Sequence, residues 1–477
     1  MKIQLETAGI LCEISMNGRN VYLEKTATQT ILLELSYIKC TIKEIREMPS
    51  YAESLPPQDR KRYVLYAYAS TWFGCFADVM MDCTALIVIY FVLLKTSNSL
   101  IMFSSAIAGL VQIPLLIPAS MLVDRFGVKR MVCVSCLMSC AGYCTMAVAP
   151  FAGSFAQYVM LAGVFIFSSS RPIWSSSWYP VLSDILLPEE RGTFFGRMRF
   201  SYYILTGTVF YFVGLIMGKT PPVWYLQVAT CLTGILALGR FFFINKIKLS
   251  DCKNSKFELK KSFSISIHNS PLVGFSTYCC FFSLAISAII PLALIYLKQS
   301  LGFDAGTVQK LSTMGIAGSV SGFLLYGWVQ KKMGMRNLQI SVHILWIFVA
   351  LGFFCCFKGM PMLMPFTALL LFLSYLGIAW FNCCFSQECL ALSRPGNTAM
   401  AAALANTYNN IGNAVGRTAG SLLLGHGLLA SSWQWNGLTV TNFQSIFLFC
   451  AAGVVFCLVL LFNLPSVIST HDNYYKP

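Results

Sequence analysis

Charged side chains are scarce in this chain. They make up 11% of its 477 residues, against about 25% in a typical soluble protein. Acidic residues number only 19 and histidines only 4. This shortage excludes an ordinary soluble enzyme, a disordered chain and a fibrous repeat, because each of these exposes far more polar surface to water.

Apolar residues take the place of the missing charge. They make up 56% of the chain, and the mean hydropathy is +0.66. They fall in blocks of about 20 residues, the length that a helix needs to cross a hydrocarbon core of about 30 Å. The sequence therefore predicts an all-α membrane protein with twelve transmembrane helices. The predicted spans cover residues 68–94, 99–122, 130–149, 156–181, 194–217, 222–245, 270–297, 306–329, 337–357, 362–386, 398–425 and 442–463.

Basic residues are distributed unevenly among the loops. The segment before span one and the loops after the even-numbered spans are basic, whereas the opposite loops offer little more than Lys95, Lys219, Lys298 and Lys358. Basic loops mark the cytoplasmic side of a membrane protein. We therefore expect both termini to be cytoplasmic, in a bacterial-type inner membrane. The net charge of +15 is then a topology signal and not a nucleic-acid-binding surface.

One polar loop divides the chain into two sets of six spans. The predicted parts are a cytoplasmic N-terminal extension over 1–62, a six-helix bundle over 63–245, a cytoplasmic basic linker over 246–264, a second six-helix bundle over 265–463 and a cytoplasmic tail over 464–477. The extension is too short for a core of its own. It is either a small docking element or a stretch upstream of a true start at Met48.

The two sets of spans repeat a loop motif. Span two ends in Asp124-Arg125-Phe-Gly127-Val-Lys129-Arg130, and span eight ends in Lys331-Lys332-Met-Gly334-Met-Arg336, with the aligned glycines 207 residues apart. The twelve spans, their division into six and six, and this motif resemble the major facilitator superfamily over residues 63–463. The second copy departs from the family pattern at Lys331, where an aspartate is common.

The resemblance implies a secondary transporter, and not an enzyme, built from two pseudo-symmetric six-helix bundles with the solute site between them near the midplane. It also implies that Asp124 faces the N-terminus of span eleven, around Asn397, when the cytoplasmic gate is shut. A carboxylate at a helix N-terminus contributes about 0.3–1 kcal/mol. The other interpretation is that this loop only fixes topology. The gate-loop residues are Asp124, Arg125, Gly127, Lys129, Arg130, Gly334 and Arg336.

Three charged residues inside the predicted spans form a candidate coupling site. Asp78 and Asp82 lie one helical turn apart in span one, and Arg171 lies at a similar depth in span four. In the family these two spans line the central cavity, so the charges are expected to face each other. Three interpretations stay open: a static ion pair, a proton- or cation-coupling site in which two close carboxylates resist joint ionisation, and direct contact with the solute.

Two further groups of side chains predict the wall of the cavity. Trp174 and Trp178 share a helix face with Arg171, and they either contact the solute or pack against helices and lipid headgroups. Span eleven carries a polar stripe, which is either a wet cavity wall or a set of interhelical hydrogen bonds. The stripe comprises Asn406, Asn410, Asn413 and Arg417.

The function predicted from these features is transport of a small organic solute, driven by a proton or cation gradient, by a monomer in a lipid bilayer. One rival is an uncoupled facilitator or drug-type exporter of the same fold, and another is a membrane scaffold or sensor that moves no solute. No cofactor and no metal ion are expected, because the four histidines are scattered and form no cluster with other ligating residues.

Overall fold

The structure is a computed structural model that describes residues 2–4, 11–16, 19–24, 51–187, 190–249, 259–393, 398–425, 428–435 and 437–463. The chain divides into two compact units, residues 1–60 and 61–477. The first unit contains a three-stranded antiparallel sheet in the order β1-β2-β3, made of β1 (Lys2–Gln4), β2 (Leu11–Met16) and β3 (Arg19–Glu24). The short helix α1 (Tyr51–Ser54) follows.

Helices dominate the second unit. In chain order they are α2 (Pro57–Asp82), α3 (Leu86–Leu93), α4 (Asn98–Phe126), α5 (Val128–Val148), α6 (Ala156–Ile185), α7 (Arg191–Met217), α8 (Val223–Asn245), α9 (Leu259–Ile267), α10 (Ser270–Ile286), α11 (Ile289–Gln299), α12 (Ala305–Phe354), α13 (Leu363–Leu392), α14 (Thr398–Gly425) and α15 (Asn442–Asn463). A 3-10 turn, Ala149–Phe155, joins α5 to α6. A hairpin of β4 (Ser432–Trp435) and β5 (Leu438–Thr441) lies between the last two helices. We call α2–α8 the N bundle and α10–α15 the C bundle.

Length and hydropathy identify the helical stretches that can cross a membrane. Among the described residues there are eight, or nine if α2 and α3, bent by 53° at their junction, form one span. Two of the eight are far longer than the roughly 20 residues that one crossing needs. They are Val128–Leu182 with 55 residues and Ala305–Phe354 with 50 residues.

Two glycines break the helices at equivalent places in the two bundles. Gly127 separates α4 from α5 with φ 88° and ψ 147°, and Gly334 interrupts α12 with φ 77° and ψ 164°. Glycine has no Cβ and adopts these positive φ values without the steric cost that other residues meet. The two residues that align in the sequence motif therefore perform the same backbone turn 207 residues apart.

The two bundles contact each other closely along α4 and α14. The Oγ of Ser99 lies 3.1 Å from the Oγ of Ser421, and each hydroxyl is within 2.8 Å of the other residue's carbonyl oxygen. A Cβ added to Gly109 would lie only 3.0 Å from the Cβ of Ala414, so the two helix backbones nearly touch there. We call these contacts, formed by Ser99, Gly109, Ala414 and Ser421, the α4–α14 seal.

Candidate functional site

Two cavities meet at one carboxylate. The first, which we call the central cavity, has a volume of about 240 Å³ and is lined by residues of both bundles. The second, the charged cavity, has a volume of about 410 Å³ and is lined by residues of the N bundle. Asp82, at the end of α2, lines both. A change in its charge would therefore be felt in both spaces.

The charged cavity contains a chain of alternating charges. Arg171 on α6 donates from Nη1 and Nη2 to the two carboxylate oxygens of Asp82, at 3.1 and 2.5 Å. Its Nε lies 3.8 Å from Oδ1 of Asp78. The structure thus brings together the three charged residues that the sequence places at one depth. The fork of two hydrogen bonds to one carboxylate is the strongest geometry that an arginine offers.

A fourth member of this chain, Arg240 on α8, is absent from the sequence prediction. Its Nη2 donates to Oδ2 of Asp78 at 2.7 Å, and only 8% of the residue is exposed. With two aspartates and two arginines, the group is neutral when all four are ionised. The sequence signal that could have found Arg240 is an arginine inside the apolar stretch 222–245, since a charge there needs a partner.

The two predicted tryptophans form one wall of the charged cavity. Trp174 and Trp178 stack with ring centroids 5.1 Å apart and an interplanar angle of 24°. The guanidinium of Arg240 lies over the Trp174 ring, 4.0 Å from its centroid. Both indoles line the cavity. Such a wall holds the guanidinium through cation–π attraction and offers flat apolar surface beside it.

Helix α14 lines the central cavity with two residues of the predicted stripe and with one residue outside it. The residues that line the cavity are Asn409, Asn413 and Arg417, spaced four apart. Asn406 is exposed, its Nδ2 donates to the carbonyl of Ala402, and neither it nor Asn410 is among the lining residues. Residues spaced by four lie on one face of a helix. The N-terminal members of the predicted stripe, Asn406 and Asn410, lie to one side of that face.

Arg417 contacts both bundles. Its Nη1 donates to the carbonyl of Ser105 on α4 at 2.7 Å, and its Nε donates to the carbonyl of Ser287, between α10 and α11, at 3.3 Å. Besides Arg417, the Asp82 carboxylate and the Trp346 indole, the residues that line the central cavity include several with hydroxyl or amide groups. These are Thr84, Ser104, Ser105, Ser283, Ser287, Tyr375, Asn382, Asn409 and Asn413.

The gate-loop residues lie at the turns after α4 and within α12. Lys129 donates from Nζ to the carbonyl of Asn245 at 3.1 Å, which ties the start of α5 to the end of α8. Arg125, Arg130 and Arg336 are exposed. The side chain of Asp124 and the residues around Asn397 lie outside the described residues, so the proposed latch between them stays a prediction.

A family model described as the Major Facilitator Superfamily matches residues 71–417. No curated protein sequence matches the chain at a significant level. A solved structure of a variant of the nucleoside transporter NupG is 15% identical, covers 84% of this chain and 99% of its own, and has a TM-score of 0.66.

Two more solved structures are similar to this chain in fold. A D-xylose–proton symporter is 14% identical, covers 85% of this chain and 98% of its own, and has a TM-score of 0.64. The xylose transporter XylE from E. coli, in an inward-open conformation, is 13% identical, with 88% and 97% covered and a TM-score of 0.59. These likenesses confirm the predicted helical membrane fold. With a family model matched over most of its length, the chain belongs to the Major Facilitator Superfamily of multi-pass membrane transporters.

Proposed function

We propose that this transporter moves a small organic solute by alternating access and that the movement is coupled to a proton or cation gradient. The observation that carries the proposal is the position of Asp82. This carboxylate is paired with Arg171 and lines both the charged cavity and the central cavity. A group that borders both spaces can sense whether solute is present in one while exchanging a proton with the other.

The coupling step follows from the ion pairs. When Asp82 takes up a proton it loses its attraction for Arg171, which keeps a second carboxylate in Asp78, 3.8 Å from its Nε. The guanidinium therefore shifts its pairing and is not left unpaired in the membrane, where an isolated charge costs about 2.5–3.5 kcal/mol or more. Release of the proton restores the Asp82–Arg171 pair. Such a two-state exchange of partners is what coupled transport needs.

The arrangement in the membrane belongs to the same proposal. We infer twelve spans. The bent pair of α2 and α3 is taken as one span, so there are nine apolar stretches among the described residues, and two of them, Val128–Leu182 and Ala305–Phe354, each hold two crossings. The more polar helix α14 adds the twelfth. The two bundles, over 63–245 and 265–463, would be joined by the basic linker, with both termini in the cytoplasm of a bacterial-type cell. The chain would act as a monomer. The basic loops support this orientation.

The names of the structural neighbours support solute transport and proton coupling. One is a nucleoside transporter and another a D-xylose–proton symporter. At 14–15% identity they suggest that a polar organic solute and a proton suit this architecture. Purified protein in liposomes with a trapped pH dye tests the proposal. We expect solute-dependent acidification of the lumen when nucleosides, sugars or small carboxylates are added outside. Solute flux without any proton movement would favour an uncoupled facilitator.

The α4–α14 seal leads to a prediction about the transport cycle. In the inferred orientation Ser99 and Ser421 lie on the outer side of the membrane, and the conformation is then closed outward. We expect the pair Ser99→Cys and Ser421→Cys to form a disulfide, because the hydroxyl oxygens, whose places the two sulfur atoms would take, are 3.1 Å apart and a small shift brings the sulfurs to the bond length of about 2.05 Å. The cross-link should stop transport almost completely.

Single-cysteine variants are the matched controls for this cross-link, since the chain carries native cysteines. An impermeant reductant added outside right-side-out vesicles should restore transport. Full transport by the oxidised pair would show that the seal does not open during the cycle, and rescue only from the inner side would reverse the proposed orientation.

A further inference from the structure

The central cavity contains one positively charged side chain, Arg417, that is not part of the ion pairs described above. Arg171 and Arg240 are paired with Asp82 and Asp78. Arg417, which lines the cavity, is within ion-pair distance of no carboxylate in the described part of the chain; its two hydrogen bonds go to the carbonyls of Ser105 and Ser287. Carbonyl groups are neutral, so they solvate this charge without cancelling it.

The geometry of the Arg417 guanidinium leaves one nitrogen for a ligand. Nη1 and Nε point to the two carbonyls, and no described residue accepts a hydrogen bond from Nη2. Asn413, one turn earlier on the same face, donates from Nδ2 to the carbonyl of Asn409 and also lines the cavity. A ligand in the central cavity can therefore contact both this guanidinium and this amide.

The charge balance selects the class of ligand. Asp82 is the acidic residue that lines the central cavity, and it is neutralised by Arg171, so the remaining lining groups carry one net positive charge. A carboxylate supplies one negative charge and acts as an acceptor only. A phosphate monoester carries about −1.5 to −2 at neutral pH and would leave an uncompensated negative charge in a poorly solvated space. A cation would be repelled.

We infer that the central cavity binds the carboxylate of a monoanionic organic solute, with Arg417 as its counter-ion. The inference rests on the proposed function, because it names the solute class for the same transporter. The hydroxyls and amides around the cavity would then bind the uncharged remainder of the molecule.

The test uses full-length protein in detergent and two series of probes matched in shape. One series is benzoate, benzamide and benzylamine, and the other is glucuronate, glucose and glucosamine. At constant ionic strength, we expect the carboxylate of at least one series to raise the thermal unfolding midpoint in a dose-dependent way. Its uncharged and cationic analogues should bind at least about tenfold more weakly, as expected when a charge-assisted hydrogen bond is missing.

Two variants separate the counter-ion role from the role of Arg417 in holding the bundles together. Arg417→Gln should abolish the preference for the carboxylate. Asn413→Asp should abolish it too, because a carboxylate four residues before Arg417 pairs with the guanidinium in place of the solute while the bonds to the two carbonyls remain. The control is Lys358→Gln, which removes a charge from an exposed loop position and should keep the preference.

The inference is overturned if an uncharged or cationic probe stabilises the protein as much as the carboxylate does, if none of the six probes stabilises it, or if Asn413→Asp keeps the preference. Binding in detergent needs no gradient. Carboxylate binding without proton-driven uptake would therefore count against the proposed function alone. Proton-driven uptake of an uncharged solute would count against this inference alone.

Discussion

Replacing Asp82 with asparagine should abolish uphill transport driven by a pH gradient and leave exchange of solute across equal concentrations near the wild-type rate. Asparagine has the shape of the protonated carboxyl group but releases no proton. Net uptake needs one protonation and one deprotonation in each cycle, whereas exchange proceeds with the group permanently neutral. Flux of labelled solute in liposomes, measured with and without a pH gradient, separates the two activities.

The structure explains why this variant should still fold. Arg171 loses its fork to Asp82 but retains Asp78 near its Nε, so its charge keeps a carboxylate neighbour. The Arg171 side chain is also 24% exposed, against 10% for Arg240, so water in the cavities solvates it better when it loses a partner. We therefore expect a normal yield of folded protein.

Asp78→Asn is the matched control, one helical turn away. Asp78 accepts a hydrogen bond from Arg240, whose side chain is only 10% exposed. Losing that partner leaves a buried charge uncompensated, which costs about 3–5 kcal/mol. Both transport activities and the folded yield should fall together. If Asp82→Asn behaves in this second way, and Asp82→Asn with Arg171→Gln restores both activities, the pair is structural and the coupling proposal is wrong.

Several residues of the site can be predicted by counting positions along the sequence. Counting residues from the ends of the spans places Asp78, Asp82 and Arg171 at similar depths, and the family resemblance places their helices side by side. The glycine motif likewise predicts equivalent turns at Gly127 and Gly334. These features depend on distance along a helix, which is fixed at about 1.5 Å per residue.

Features that depend on helix rotation and packing are harder to predict. The sequence does not show that α14 faces the cavity through Asn409 and not Asn410, because the two differ by 100° of rotation, which neighbouring helices set. The bend between α2 and α3, within one predicted span, is also set by packing. Arg240 on α8 reaches Asp78 because Gly74 on α2 leaves room for its guanidinium. No spacing rule connects positions 74 and 240, which are 166 residues apart.

That glycine, Gly74 on α2, should prove as sensitive as the charged residues. A Cβ at position 74 would lie 1.8 Å from Nε and 2.1 Å from Cζ of Arg240, so Gly74→Ala must push the guanidinium away. We expect it to lose both the bond to Asp78 and the contact with Trp174. The buried charge then costs about 3–5 kcal/mol, partly offset by about 1 kcal/mol from alanine's better helix propensity. The free energy of unfolding should fall by about 2–4 kcal/mol.

A double-mutant cycle decides whether Gly74 acts through Arg240. If the glycine serves only to admit the guanidinium, Gly74→Ala should add almost no destabilisation to Arg240→Gln, because the colliding group is then gone. Gly196→Ala on α7 is the control, since a Cβ there meets nothing within 4 Å; it should leave stability unchanged or raise it slightly. Thermal unfolding of the four variants in detergent supplies the comparison. Additive losses from Gly74→Ala and Arg240→Gln would mean that the glycine serves helix packing independently of the arginine.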